Sequence, residues 1–255
     1  MTNYDILYVV NFLSETSIPL NWATLLYKRG WNVAVLPVEP QRNQIQPEEF
    51  KIPVVEMGAY RWGDPRVIRE IRQKIHQHGI RLVHVHANYS GGIASLSVFF
   101  NHNICVVNTE HSPARAFNKI GLLLNSISLF RANYNCFNSY YTKESLYFWQ
   151  KYFIKNIPNK VIYNGVPIQE ILKISQEISK EVVYNRWGLS KDNFFIGMIA
   201  TFKKVKDHFT LFKAIKILSK KYPKIKLLLV GDGNLEKILK EKVEQLSISE
   251  QVCFM

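Results

Sequence analysis

The residues best placed to do chemistry fall into two groups. The first is a basic loop, Thr201, Lys203, Lys204 and Lys206, within the run 194–233, FFIGMIATFKKVKDHFTLFKAIKILSKKYPKIKLLLVGDG. Lys206 stands just before a helical pattern, where unpaired backbone N–H groups already favour an anion. A second apolar stretch then ends in Gly231-Asp232-Gly233. That combination suits phosphate oxygens, although the same lysines also fit a solvated basic loop. The second group is His84, His86 and His111, each at or near the end of an apolar run, with Ser14, Thr16 and Ser17 ahead of one helix and Gly91-Gly92 opening another. The hydroxyls can bind a sugar or phosphate, or they can cap the helix, which is the simpler expectation. The glycines can offer N–H groups to a substrate oxygen or let a helix approach a sheet closely. Three histidines invite a metal reading. No carboxylate cluster accompanies them, and no metal is expected.

These residues need strands to carry them. Apolar runs predict strands near 6–10, 32–36, 82–86, 104–108, 133–137 and 161–163, with a short one at 53–57, and a later set near 194–200, 225–230 and 251–254. Helical patterns lie between them, including 19–30, 64–78, 114–130, 141–153 (capped by Asn138-Ser139), 207–221 and 234–246. Continuous apolar strands alternating with helices predict an α/β fold with parallel sheets covered on both faces. The early strands should form one sheet and the last three a separate one. The expected organisation is a first domain over 1–167, a polar connector with one helical stretch over 168–192, and a second, incomplete domain over 193–255. Both groups of candidate residues then sit at carboxyl ends of strands, where open parallel sheets bind ligands.

Several motifs resemble glycosyltransferase family 4, a retaining class of GT-B fold. In the run 194–233 the pattern is an apolar strand, a small residue, a short loop, Lys-Asp, a helix, an apolar strand and Gly-x-Gly. VHVHANYSGGIASL and VVNTEHS resemble the paired motifs of that family's first domain, and Asn164-Gly165-Val166 resembles the turn by which the family leaves it. The resemblance implies two Rossmann-like domains, the second incomplete, and transfer of a sugar from a nucleotide diphosphate sugar to a glycan or lipid-linked acceptor with retention, as in polysaccharide biosynthesis. It implies donor-diphosphate contacts from Lys206, Thr201, Gly231 and Gly233, a catalytic place for His111 against the donor sugar, and acceptor contacts from Ser17, His86, Gly91 and Gly92. Thr201 departs from the pattern, which has arginine there. No cofactor is implied beyond the donor substrate. The family's nucleobase loop and glutamate pair would follow residue 255, so the expectation is a C-terminally truncated chain, inactive alone, or a non-catalytic remnant or subunit paired with a separately encoded remainder.

Composition narrows the rest. The chain has 255 residues, 47% of them hydrophobic, and a net charge of +13. The excess is uneven, +4 over 1–150 (14 basic, 10 acidic) and +9 over 151–255 (19 basic, 10 acidic). Positive charge suits an anionic partner such as a nucleotide sugar. Lysines spread along helices are more like a solvated face than a nucleic-acid stripe, so no nucleic-acid partner is expected. The stretch 114–130 is amphipathic and basic, with Arg115 and Lys119 beside Ile120, Leu123 and Phe130. It can lie peripherally on anionic lipid or pack into the core, the latter being the simpler expectation. No signal peptide or membrane span is read, and Cys105, Cys136 and Cys253 are expected as buried reduced thiols in a cytoplasmic protein.

Overall fold

The computed structural model describes every residue except Met1, Thr16, Phe50, Trp62 and Ala87, and of Asn88 the backbone alone. The chain divides into two compact units, Met1–Gly165 and Val166–Met255.

Unit 1 is built on a six-stranded sheet of β1 (Ile6–Val10), β2 (Val33–Pro37), β3 (Leu82–His86), β4 (Cys105–Glu110), β5 (Tyr134–Phe137) and β6 (Asn159–Val161), in the order β2-β1-β3-β4-β5-β6. Every pairing is parallel. The first chain reversal runs through α1 (Ile18–Lys28) and the next through α2 (Arg66–Gln77). Strand order therefore changes direction between β1 and β3, which is the point at which such sheets open a crevice. The stretch 53–57 contributes only a single bridge, Val54 to Val35.

Alternation along each strand sorts side chains onto two faces. Leu7, Val9, Val83, Val85 and Val106 pack together with Val67, Ile71 and Ile75 of α2 and Ala94 of α3 (Asn88–Ser97). Tyr8, Val10, Val33 and Val35 face the other way and pack with Leu20 and Ala23 of α1. The register sets Tyr8 beside His84 and His86 beside Thr109, so the histidines of β3 lie on the Tyr8 face. The helix α4 (Lys119–Arg131) starts at Asn118, whose side chain accepts from Gly121 N–H, and follows a separate turn at Ala114–Ala116. One helix was expected over 141–153. Two form, α5 (Tyr140–Glu144) capped by Ser139 and α6 (Phe148–Phe153), which begins at Tyr147 where Gln150 accepts the backbone N–H.

Unit 2 opens with α7 (Ile168–Glu177) and α8 (Lys180–Trp187), two helices where one stretch was expected. Ser179 caps the second, and Gly188 ends it at φ +61°, a conformation that costs glycine little. Then come β7 (Phe194–Ile199), α9 (His208–Lys221), β8 (Ile225–Val230), α10 (Glu236–Gln245) and β9 (Val252–Phe254), giving a parallel sheet β7-β8-β9. Its core joins Ile225, Leu227 and Leu229 to Phe212 and Ile215 of α9 and Leu239 and Val243 of α10. β7 was expected to be buried. It is instead an edge strand with one neighbour, and Phe194 and Ile199 are exposed. The expectation of buried thiols holds for Cys136 alone: Cys105 is exposed at the start of β4, and Cys253 is half-buried.

Candidate functional site

In unit 1 the carboxyl ends of β1, β3 and β4 meet the start of α1 around a pocket of about 310 Å³ lined by Asn11, Ser14, Ser17, Pro19, His86 and His111 among others. His86 and His111 are joined directly, Nδ1 of His86 lying 3.0 Å from Nε2 of His111. His84 lies 2.9 Å through Nε2 from the Thr109 hydroxyl. The rings form a cluster: Tyr8 to His84 at 4.6 Å and His84 to His86 at 4.1 Å, both tilted, and His86 stacked on His111 at 5.3 Å, with Trp22 edge-on to His86 at 6.0 Å. Such contacts hold ring orientation as well as burying area.

Burial governs the charge of this group. It pushes His84 down to about 3, with His111 a second cause, and His86 well below the ordinary histidine value, with His84 and His111 adding to the effect. Burial also lowers His111 and raises the Tyr8 phenol to about 12. All three imidazoles are therefore neutral near pH 7. His86 Nε2 is buried and has no hydrogen-bond partner. A bare buried lone pair costs less than a buried orphan N–H, so the consistent assignment has His86 Nδ1–H donating to His111 Nε2. A neutral His111 then carries its own proton on Nδ1. Its turn is held by Asn138, whose Nδ2 donates to the His111 carbonyl and whose backbone N–H donates to the Glu110 carbonyl.

Ser17 occupies the position before α1, but its side chain makes no capping bond, contrary to the simpler expectation. The first turn of α1 thus lacks a side-chain cap, and Pro19 contributes no N–H to it. Ser14 lies in the preceding loop and donates from Oγ to Gln44, and Thr16 lies outside the described residues. Gly91 and Gly92 are buried within α3. A Cβ on Gly92 would fall 2.5 Å from that of Leu124, and one on Gly91 would fall 3.3 Å from the Ser128 hydroxyl, so both glycines let α4 close onto α3. They do not line the histidine pocket.

On the opposite face of β4 a buried polar chain lies beneath this site. Asn108 Nδ2 donates to Glu110 and to Asn135, and Gln150 donates to Asn125. Burial raises the Glu110 carboxyl to about 7, while bonds from Asn108 and Asn125 favour its ionised form. Sequence reading did not single out Tyr8, Trp22, Asn11 or Glu110. Parity along β4 places Glu110 opposite Thr109, a signal available only once the register is known.

In unit 2, Thr201, Lys203, Lys204 and Lys206 are all exposed in the loop after β7. Among the described residues, none of these lysines has a carboxylate partner. Lys206 ends a short turn, and Asp207 at φ +50° caps α9 by accepting from Thr210 N–H. The Gly-Asp-Gly turn runs against the loop: Ala200 N–H donates to Val230, Phe202 N–H to Asp232 and Leu235 N–H to Phe202. Gly231 and Gly233 both sit at φ +150°, and a Cβ would meet the Ala200 carbonyl at 2.1 Å or the Phe202 carbonyl at 2.7 Å. Glycine is required at both places. His208, unnoticed in the sequence, is buried under Phe202 at 5.3 Å with Nε2 unpartnered, and burial lowers its pKa. Together these features set unpaired cations and a close-packed glycine turn beside a helix start that the Asp207 carboxylate already caps.

Residues 20–170 match Glycosyltransferase Family 4, and residues 179–255 match the glycosyl transferases group 1 family. An uncharacterised glycosyltransferase of Methanocaldococcus jannaschii is 27% identical over 103 residues, which are 40% of this chain and 25% of that protein. Among solved structures, HepE of Anabaena, in complex with UDP and glucose, superposes with a TM-score of 0.75 at 18% identity, over 99% of this chain and 69% of HepE. A UDP-GlcNAc 2-epimerase from Methanocaldococcus jannaschii superposes with a TM-score of 0.64 at 14% identity, over 98% of this chain and 72% of that one. The chain therefore spans about a quarter of the curated relative it matches and about 70% of these solved structures. The fold is shared by enzymes of different chemistry and does not by itself choose between them.

Proposed function

The chain belongs to Glycosyltransferase Family 4, and from that membership we propose that the whole protein transfers a sugar from a nucleotide diphosphate sugar to a hydroxyl of a glycan or lipid-linked acceptor, with retention. The observation that carries this reading is the strand end in unit 2, where Lys206 and its neighbouring lysines are unpaired beside a helix start and the Gly231–Gly233 turn. A diphosphate is a ligand whose charge suits these unpaired lysines beside the close-packed turn. Lys206 neutralises the leaving diphosphate, and the exposed Thr201 adds a hydroxyl where the family pattern has a cation. Catalysis is then mainly positioning and stabilisation of the departing charge. In unit 1, neutral His111 offers Nδ1–H to a sugar oxygen, with His86 fixing its tautomer. Ser17 and the uncapped start of α1 line the same pocket and suit sugar hydroxyls.

The test is donor titration with the full-length protein, UDP and UDP-sugars first because HepE was solved with UDP. A lysine–phosphate hydrogen bond contributes about 1.5–3 kcal/mol. Lys206→Ala is expected to weaken diphosphate binding by about tenfold to a hundredfold, and Thr201→Arg to tighten it. Diphosphate affinity indifferent to Lys206→Ala would remove the phosphate assignment and the main physical support for transfer.

A further inference from the structure

A second cavity of unit 1, about 670 Å³, lies between the carboxyl half of α2 and the end of α3. Residues 79–81 and 103–104, just ahead of β3 and β4, form part of its lining, whereas His86 and His111 stand at the other ends of those strands. A five-residue strand spans about 15 Å, so one small ligand does not occupy both places. Both walls are fixed. One is the end of α2, where Ile80 N–H donates to the Ile75 carbonyl and Gly79 N–H to the His76 carbonyl, with Gly79 at φ +60°. This pair of bonds closes a helix and brings the two isoleucines into one cluster. The other wall is the loop 98–104, whose carbonyls at Val98, Asn101 and Ile104 accept from the buried Arg131. Arg72 ties the walls together, its Nε donating to the Ser97 carbonyl at 2.9 Å. A cavity pinned in this way exists before a ligand arrives, and binding costs little ordering.

Its chemistry is divided. Ile75, Ile80, Val98 and Ile104 are buried and form an apolar floor. Arg72, His76, Arg81, Phe100 and Asn101 are exposed around the rim, and among the described residues no acidic one lines the cavity. Arg81 is already paired with Asp5. Arg72 has no carboxylate partner among the described residues, and its bond through Nε leaves the Nη edge of the guanidinium uncommitted. Phe100 is 86% exposed, a ring offered at the mouth. Charge and shape together select the occupant. A flat apolar body suits the isoleucine floor beside the Phe100 ring, and one carboxylate suits the planar donor edge of Arg72. A bare sugar would leave that floor without a partner.

We propose that this cavity is a second ligand site, one that takes a small aromatic carboxylate, with Arg72 holding the carboxylate and Phe100 stacking on the ring. Its volume of about 670 Å³ falls within the roughly 300–1,000 Å³ of small-molecule sites. The proposal stands on unit 1 alone and does not rest on the donor chemistry proposed above.

Titration calorimetry of the full chain with 2-naphthoate and 2-naphthamide tests it, since the two share a body and differ in charge. Naphthoate is expected to bind once per chain and about tenfold or more tighter than naphthamide, the scale of one charge-assisted hydrogen bond. Phe100→Ala should weaken both by about threefold to tenfold, the scale of one ring contact. Because that ring is exposed, the thermal unfolding midpoint should hold. Arg72→Gln should bring naphthoate down to the affinity of naphthamide and leave naphthamide nearly unchanged. A merely loosened cavity would not give that split, because loosening weakens both. No saturable binding of naphthoate, equal affinity for the two compounds, or naphthoate binding indifferent to both variants overturns the proposal. So does competition by UDP-glucose, which would put naphthoate in the donor site. So does sedimentation equilibrium showing a dimer that Phe100→Ala dissolves, since a second copy would then be the occupant. Donor titration should be the same in both variants as in the wild type, which separates a failure here from a failure of the transferase reading.

Discussion

At the scale of single residues, the group with most to explain is the pair His86–His111. Two neutral imidazoles joined at 3.0 Å are a fixed-tautomer device: the inner ring is buried and the outer is half-exposed in the pocket. If His111 gives a hydrogen bond to a sugar oxygen as charge develops, His111→Ala should lower turnover by about a hundredfold, the usual cost of one preorganised donor. His86→Phe keeps the ring volume but removes the donor to His111 Nε2, and turnover should fall by about tenfold, the scale of one neutral hydrogen bond. Turnover at saturating donor checks both, and an unaffected His86→Phe enzyme would leave His111 oriented by something else. The places of His111 after a strand and of Lys206 ahead of a helix were legible in the sequence because a strand end followed by a polar turn is itself a pattern, while the roles assigned to them rest on the family resemblance. Tyr8 and Trp22 were not, because what makes them part of the site is contact across β1, β3 and α1, and no local spacing encodes that contact. The reading of Ser17 as a cap failed for a related reason: residue type predicts a capping side chain, but the side chain's direction is set by the fold.

At the scale of elements, strands were the more readable. Largely apolar runs bounded by turns admit few alternatives in an α/β chain, and both sheets assemble as expected, although β6 is the polar Asn159–Val161 rather than 161–163. Helix boundaries were less readable where a break is made by a polar contact. Gln150 holding the Tyr147 N–H starts a new helix at Phe148, and Ser179 starts another, without a glycine or proline to announce either. The Gly-Asp-Gly turn was the opposite case, being legible as a motif and needing the fold only for its physical reason. Gly231→Ala places a Cβ at 2.1 Å from the Ala200 carbonyl at φ +150°, and should destabilise unit 2 by about 3 kcal/mol. At Gly197, in β7, an added methyl would meet nothing within 4 Å, and the backbone is ordinary. Gly197→Ala should instead be neutral or stabilise by about 0.5 kcal/mol. Urea midpoints of the two variants distinguish a glycine kept for close approach from one that is not; equal effects would mean that the turn can yield.

At the scale of the whole chain, the buried titratable groups of unit 1 make its stability depend on pH in two opposing ways. Glu110 has a folded pKa of about 7 against an ordinary 4.5. An acid raised in this way contributes stability that is complete below 4.5 and is lost as pH rises through 7, in all about 3 kcal/mol at 1.36 kcal/mol per unit. His84, lowered from 6.5 to about 3, works in the other direction. Its contribution is complete above 6.5 and is lost as pH falls toward 3, and His86 and His111 are lowered in the same sense. The wild type should therefore gain stability from pH 4.5 to 6.5, where the histidines outnumber the carboxyl, but gain less than the histidines alone would give. Glu110→Gln removes the opposing group while retaining an acceptor for Asn108 Nδ2. The difference in unfolding free energy between the two proteins should move by about 3 kcal/mol in favour of Glu110→Gln as pH rises from about 4.5 to about 7, and stay level above that. Tryptophan fluorescence during urea unfolding is a suitable probe, because Trp22, Trp31, Trp62 and Trp149 lie in the sequence of unit 1 and only Trp187 in that of unit 2. A difference that stays constant across that range would mean that Glu110 is ionised at no cost within its asparagine cage, and that the polar chain behind His111 is a satisfied anion site.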